Sequence, residues 1–279
     1  MIAVLWMTGT LASFCLMAIA ARELSAELSV FQALFFRSAI GLICLGLVYI
    51  SLKNKPALFT KRLKLHLLRN SVHFAGQYGW FMGIALLPLA NVFALEFTVP
   101  VWTALIAAFF LKEVMTQKKI ISICLGLVGV FIIVKPGYGI FEMASLIVIG
   151  AAICYAVAYT STKALLTTES PFSILFYMCL LQLPIGLVGA FNNWVWPEGG
   201  QWLWLFLIGI TALTAHFCIT KAMSHADVTV IVTLDFLRLP LVALLGVLLY
   251  QEAFELSLML GAAVMLLGNI VNAYQRKAR

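Results

Sequence analysis

Charge is scarce in this 279-residue chain: 10% of its residues are Asp, Glu, Lys or Arg, where soluble domains carry about 25%. With 63% hydrophobic residues and a mean hydropathy of +1.06, no water-soluble core could absorb the apolar surface, which leaves lipid as the solvent. Enzyme signatures are lacking as well. There is no G-x-x-x-x-G-K-[ST], no H-E-x-x-H and no G-x-S-x-G. The first absence removes ATP as an energy source within this chain, so drive must come from gradients or exchange. With no nucleophile–base or metal cluster, an enzyme is the least favoured class. The six cysteines lie inside apolar runs without a CxxC, so neither a disulfide framework nor a metal site is implied, and no cofactor is expected. A net charge of +7 does not point to nucleic acid, because the basic residues fall in short clusters between apolar runs. Met1–Ala21 has no basic stretch ahead of it and is long, so it reads as a first span rather than a cleaved leader.

What is present is ten apolar runs, each near the ~20 residues that a spanning helix needs. They cover roughly 2–21, 30–51, 66–87, 89–111, 119–135, 143–164, 171–191, 201–222, 226–250 and 256–275. The expected fold is therefore an all-α integral membrane protein with ten transmembrane helices. Only Lys53–Lys64 exceeds a tight connection. With the N-terminus in the cytoplasm, thirteen lysines and arginines gather in inner loops, and only Arg22 and Lys135 fall outside. That asymmetry places both termini on the cytoplasmic side of the inner membrane.

The fourth run, Asn91 to Glu113, carries a carboxylate and a proline too deep to be end-of-helix punctuation. A second copy follows at Val228 to Glu252. Glu96-Phe97 becomes Asp235-Phe236, Pro100 becomes Pro240, and Glu113 becomes Glu252. Three of these matches are 139 residues apart and the proline pair 140, half the chain. Fainter echoes join Gly9 with Gly150, Arg22 with Lys163, Ser29 with Ser170, and Gly129 with Gly268. The expected units are residues 1–139 and 140–279. Five spans per unit is an odd number, so the second must cross the membrane in the opposite sense. Inverted repeats of this kind underlie the two interconvertible openings of secondary transporters.

Ionised groups inside a bilayer are expensive, about 2.5–3.5 kcal/mol on insertion scales, and rarely face lipid. Arg37 in the second span and Glu96 in the fourth lie at similar depth, about 10 Å in at ~1.5 Å per residue, so they are expected to be able to pair. Asp235 and Arg238, three apart, share a face of the ninth span. Arg69, His73 and Gln77 form one stripe of the third span, with Trp80 beyond, and the eighth brings His216. Two readings fit the charges: structural pairs between helices, or a hydrated cavity recognising a charged solute. His73 and His216 are as readily core histidines as ligands, and Tyr155 and Trp80 as readily core aromatics as cavity lining. Pro100, Pro184 and Pro240 are expected to kink their helices. Glu113 and Glu252 are expected to cap a helix or tether a loop.

The run FFLKEVMTQKK, the stretch LGLVGVFIIVKPG and their second copies LLYQEAFELS and GAAVMLLGN resemble the drug/metabolite transporter superfamily, the EamA-type permeases. The stretches FQALFFR, HLLRNSVHFAGQYGWFMGIALLPLANVFALEF and TLDFLRLP are similar to the subgroup containing rickettsial S-adenosylmethionine uptake carriers. The resemblance implies a cavity among spans one, three, four, six, eight and nine. It implies transport of a small-molecule metabolite, but it does not specify the solute. The expected function is secondary active transport of a zwitterionic or anionic metabolite, an amino acid or a derivative such as S-adenosylmethionine, by alternating access. A coupling proton or an exchanged solute would drive it. Candidate substrate-binding residues are Arg37, His73, Gln77, Trp80, Glu96, Tyr155, His216, Asp235 and Arg238. A lipid or lipid-linked sugar translocase and a non-transporting membrane scaffold remain open alternatives.

Overall fold

The structure, a computed structural model, describes residues 2–110, 116–134, 143–225, 231, 234–235, 237–253 and 255–273. Glu113 and Phe236, two members of the repeated motif, lie outside the described residues. Among those described there are α-helices, one short 3-10 turn and no strand. The helices are α1 (Ile2–Leu24), α2 (Val30–Ser51), α3 (Leu63–Leu86), α4 (Leu89–Glu96), α5 (Val99–Phe110), α6 (Gln117–Val134), α7 (Met143–Leu165), α8 (Pro171–Ala190), α9 (Gln201–His225), α10 (Arg238–Tyr250) and α11 (Leu256–Ala273).

Five segments are long and apolar enough to cross a bilayer: Ile2–Leu24, Val30–Ser51, Met143–Leu165, Pro171–Asn193 and Gln201–His225. Their outward faces carry side chains such as Leu5, Ile50 and Val188, all about three-quarters exposed, where hydrocarbon replaces water. This is a multi-pass membrane protein. At 24 residues α3 has the length of a span, but Arg69, Asn70, His73 and Gln77 are buried along it, so it is less apolar.

Two helix starts follow directly from local sequence. The Ser29 hydroxyl accepts from Gln32 N, and that of Ser170 from Ser173 N (3.1 Å), with Pro171 supplying a ready-made first turn. The long connection before α3 is pinned to the end of α7. Arg62 Nη1 donates to Ala164 O (2.6 Å), and Thr60 Oγ1 donates to Glu169 Oε1 (2.5 Å).

The expected fourth span is not one kinked helix. It breaks at Phe97-Thr98 into α4 and α5, which puts Pro100 in the first turn of α5. A proline cannot donate to the carbonyl four residues back, and its ring crowds that carbonyl, which here belongs to Glu96. Thr98 braces the break at the neighbouring carbonyl: its hydroxyl donates to Leu95 O (2.8 Å) and accepts from Trp102 Nε1 (2.9 Å). Pro240 likewise stands in the first turn of α10, just after a turn at Leu237. Only Pro184 remains inside a helix, α8.

The bundle is built from helix pairs: α1 on α9, α3 on α7, α2 on α8, and α6 on α11, with α4 against α10 and α7. Close approach needs missing side chains. A Cβ on Gly186 would stand 2.9 Å from the backbone N and Cα of Phe35, so α2 and α8 meet nearly backbone to backbone. About one turn or less from this contact lie Arg37 on α2 and Gln182 on α8.

Candidate substrate-binding site

The breaks in the two motif helices bring their charges together. Glu96 ends α4 and Arg238 begins α10. Arg238 Nη2 donates to Glu96 Oε1 at 3.1 Å and to Asp235 Oδ2 at 2.5 Å, and Trp80 Nε1 donates to Glu96 Oε2 at 2.8 Å. The guanidinium carbon sits 4.4, 4.9 and 5.4 Å from the ring centres of Phe14, Phe93 and Phe97. All three charged groups are buried. Two carboxylates against one guanidinium leave this cluster a formal charge of −1.

The expected Arg37–Glu96 pair does not form. Similar depth on two helices is not proximity. Helix α2 packs on α8 and α9, while α4 packs on α10 and α7. Arg37 Nη1 instead donates to Gln182 Oε1 at 3.3 Å. The Gln182 amide donates in turn to Asn70 O (3.2 Å) and lies 2.9 Å from His73 Nδ1. Arg69 Nη1 donates to Asn70 Oδ1 (2.5 Å), and its Nε donates to Thr162 Oγ1 (3.2 Å). This second cluster contains two guanidinium groups, and among the described residues no carboxylate lies within 4 Å of either.

A narrow cavity of about 10 Å³ opens beside the acidic cluster, with room for one water molecule at most. Gln77, Trp80, Glu96, Tyr155, His216 and Arg238, six of the nine candidates, line it, together with Phe14 and Tyr159. His73 adjoins it, its ring 4.9 Å from that of His216 and 5.7 Å from that of Tyr155. Arg37 and Asp235 are not part of the lining. The structure therefore shows a narrow space where the charges led to the expectation of an open hydrated pocket. Gln77 Oε1 and His73 Nε2 are buried there without partners.

The family model of the EamA-like transporter family matches residues 1–135 and 142–274. The chain belongs to that family. It is 27% identical to the S-adenosylmethionine uptake transporter of Rickettsia bellii over 98% of this chain and 93% of that protein. It is 32% identical to the riboflavin transporter of Vibrio cholerae over 76% of this chain and 72% of that protein. It is 24% identical to the pseudopaline exporter CntI of Pseudomonas aeruginosa over 95% and 93%. A solved crystal structure superposes with a TM-score of 0.73 at 17% identity, over 99% of this chain and 98% of the other, a likeness of fold. The family is one of transporters, and each of these curated relatives is named for transport rather than for an enzymatic reaction.

In this EamA-like transporter the repeated glutamate also finds a role. Glu252 accepts from Leu89 N through both oxygens (3.0 and 2.9 Å) at the start of α4, and its Oε1 lies 3.3 Å from Arg22 Nη2. The carboxylate serves as a loop tether at a helix N-terminus, where the helix dipole favours it. Arg22 Nη2 also donates to Leu87 O (2.5 Å) at the end of α3, joining α1, α3, α4 and the α10–α11 connection. At the ends of α7 and α9, Lys163 Nζ donates to Met223 O (2.8 Å).

The candidate set omitted Arg69, Asn70 and Gln182. A signal for Gln182 existed: it is the only amide in the apolar run PFSILFYMCLLQLPIGLVGA. Its partners were not legible, because they come from two other helices.

Proposed function

We propose that this chain is a secondary active transporter of a small zwitterionic metabolite, an amino acid derivative of the S-adenosylmethionine kind, working by alternating access. The carrying observation is a pair of buried clusters of opposite surplus charge, the first lining the cavity and the second reaching its wall through His73, whose ring neighbours those of His216 and Tyr155. One is Glu96, Asp235 and Arg238; the other holds Arg37 and Arg69. An α-amino acid group presents an ammonium and a carboxylate to such a pair of poles. Riboflavin, named for other relatives, presents neither. The names of relatives that match nearly end to end favour the same class.

In this reading, Glu96 and Asp235 take the ammonium or a coupling proton. The substrate ammonium competes with Arg238 for the carboxylates, so binding loosens the link between α4 and α10. Trp80 holds Glu96 in orientation, and Tyr155, Gln77 and His216 line the path.

The architecture proposed is two inverted five-span repeats, residues 1–139 and 140–279, with both termini in the cytoplasm. Exchange of the repeats turns the α1–α9 pair into the α7–α3 pair and maps α2–α8 and α6–α11 onto themselves, which is the observed pairing. Arg22 and Lys163, equivalent in the repeat, each donate to a carbonyl near the end of a neighbouring helix. The Arg22–Glu252 tether would then close the outer side, and the Lys163 contact would help close the inner one.

Uptake of labelled S-adenosylmethionine into proteoliposomes tests the reading, with Glu96→Gln, Asp235→Asn and Arg238→Ala beside the wild type. The expected result is loss of at least ten-fold in each. Near-normal rates in all three would remove these residues from the mechanism.

A further inference from the structure

We infer that Arg37, Arg69, His73 and Gln182 form an anion subsite that receives the carboxylate of the transported solute. All four are buried, with exposures of 3%, 2%, 0% and 0%. A guanidinium keeps its charge in proteins, and inside a bundle it is normally paired. Yet the acceptors that Arg37 and Arg69 find are all neutral: Gln182 Oε1, Asn70 Oδ1 and Thr162 Oγ1. The polar contacts of the cluster are thus spent on positioning, and its positive charge is left uncompensated among the described residues.

The free donors have the right geometry. Arg37 Nη1 is engaged by Gln182, while Nε and Nη2 are buried without partners. These two N–H groups form one edge of the guanidinium fork, the edge that binds a carboxylate through two parallel hydrogen bonds. In the hydrogen-bond network His73 Nδ1 accepts from the Gln182 amide, which assigns the proton to Nε2, a further unpartnered donor. His73 lies against His216 and Tyr155, which line the central cavity, so the subsite adjoins the space where Glu96 and Arg238 are met. None of Arg37, Arg69, His73 and Gln182 belongs to that lining; the subsite lies behind it, in contact through His73. The subsite rests on the zwitterionic reading above and adds the end that the carboxylate occupies.

The test compares S-adenosylmethionine with its descarboxy analogue, which differs only in the missing carboxyl group, binding to the detergent-purified full chain. Wild type is expected to bind the analogue about 10- to 100-fold more weakly, the range for hydrogen bonds to a charged group. In Arg37→Gln, and separately in Arg69→Gln, S-adenosylmethionine is expected to fall to the level of the analogue, whose own affinity stays put, leaving a ratio within about 3-fold. A merely structural role would weaken both ligands alike. Equal binding of the two by wild type, or an unchanged ratio in both variants, overturns the subsite. Should wild type bind neither ligand, the zwitterion reading fails, and a second arm decides the subsite alone. Sodium formate replaces chloride at constant ionic strength while the thermal midpoint is followed. A formate-dependent rise in wild type that is absent in Arg37→Gln supports the subsite, and identical behaviour of the two proteins refutes it.

Discussion

Arg238 and Arg37 are both buried guanidinium groups, at 1% and 3% exposure, yet their surroundings differ in kind. Arg238 is ringed by two carboxylates and three aromatic faces, while among the described residues Arg37 bonds a single polar partner, an amide. Both arginines keep buried donors without partners, Nε of Arg238 and Nε and Nη2 of Arg37, so what separates the clusters is charge: the first is compensated by carboxylates and the second, among the described residues, is not. An uncompensated charge in a buried place is a disadvantage for stability and an advantage for recognition. The two clusters should therefore answer differently to removal of their arginines.

On stability, the largest effect belongs to Arg238→Met. It leaves Glu96 and Asp235 buried without their cation, and breaking a buried pair in this way costs about 3–5 kcal/mol. Thermal denaturation in detergent should show a clearly lowered midpoint. An unchanged midpoint would mean that the acidic cluster is not held by this arginine. Trp80→Phe comes next: it deletes a single hydrogen bond to a carboxylate, worth about 1.5–3 kcal/mol, and keeps most of the ring. Glu252→Gln keeps an acceptor for Leu89 N and loses only the ion pair with the partly exposed Arg22, so about 1 kcal/mol or less is expected. Its clearer readout is accessibility. A cysteine placed at Asn91, which lines a small hollow beside Glu252, should react faster with an impermeant thiol reagent when the tether is weakened. Smallest of all is Arg37→Met, expected within about 1 kcal/mol of wild type, or stabilising, because a charge without a carboxylate is replaced by an apolar stem. Its transport should nevertheless fall ten-fold or more. A large loss of stability here would erase the contrast between the clusters.

Much of the fold was legible in the sequence. The apolar runs marked the helices, and Ser29 and Ser170 marked two of the starts. Six of the nine candidate residues line one cavity, because ionisable and amide groups in apolar helices have few places to go other than inward. Equal depth does not pair Arg37 with Glu96, because depth along a helix is one coordinate of three. Which faces meet is decided by close contacts such as Gly186 on Phe35, which deliver Arg37 to Gln182 and leave Glu96 to Arg238. The proline at position 100 announces a disturbance, and the structure shows that the helix is divided there rather than bent.

Sequence alone, then, determined the solvent, the helical state and the recurrence of an acidic residue five positions or fewer before a proline, since each depends on composition and local spacing along one chain. Tertiary structure alone decided that one arginine is neutralised and another is not. That outcome turns on which helices touch, and the contacts of α8 with α2 and α3 join residues more than a hundred positions apart.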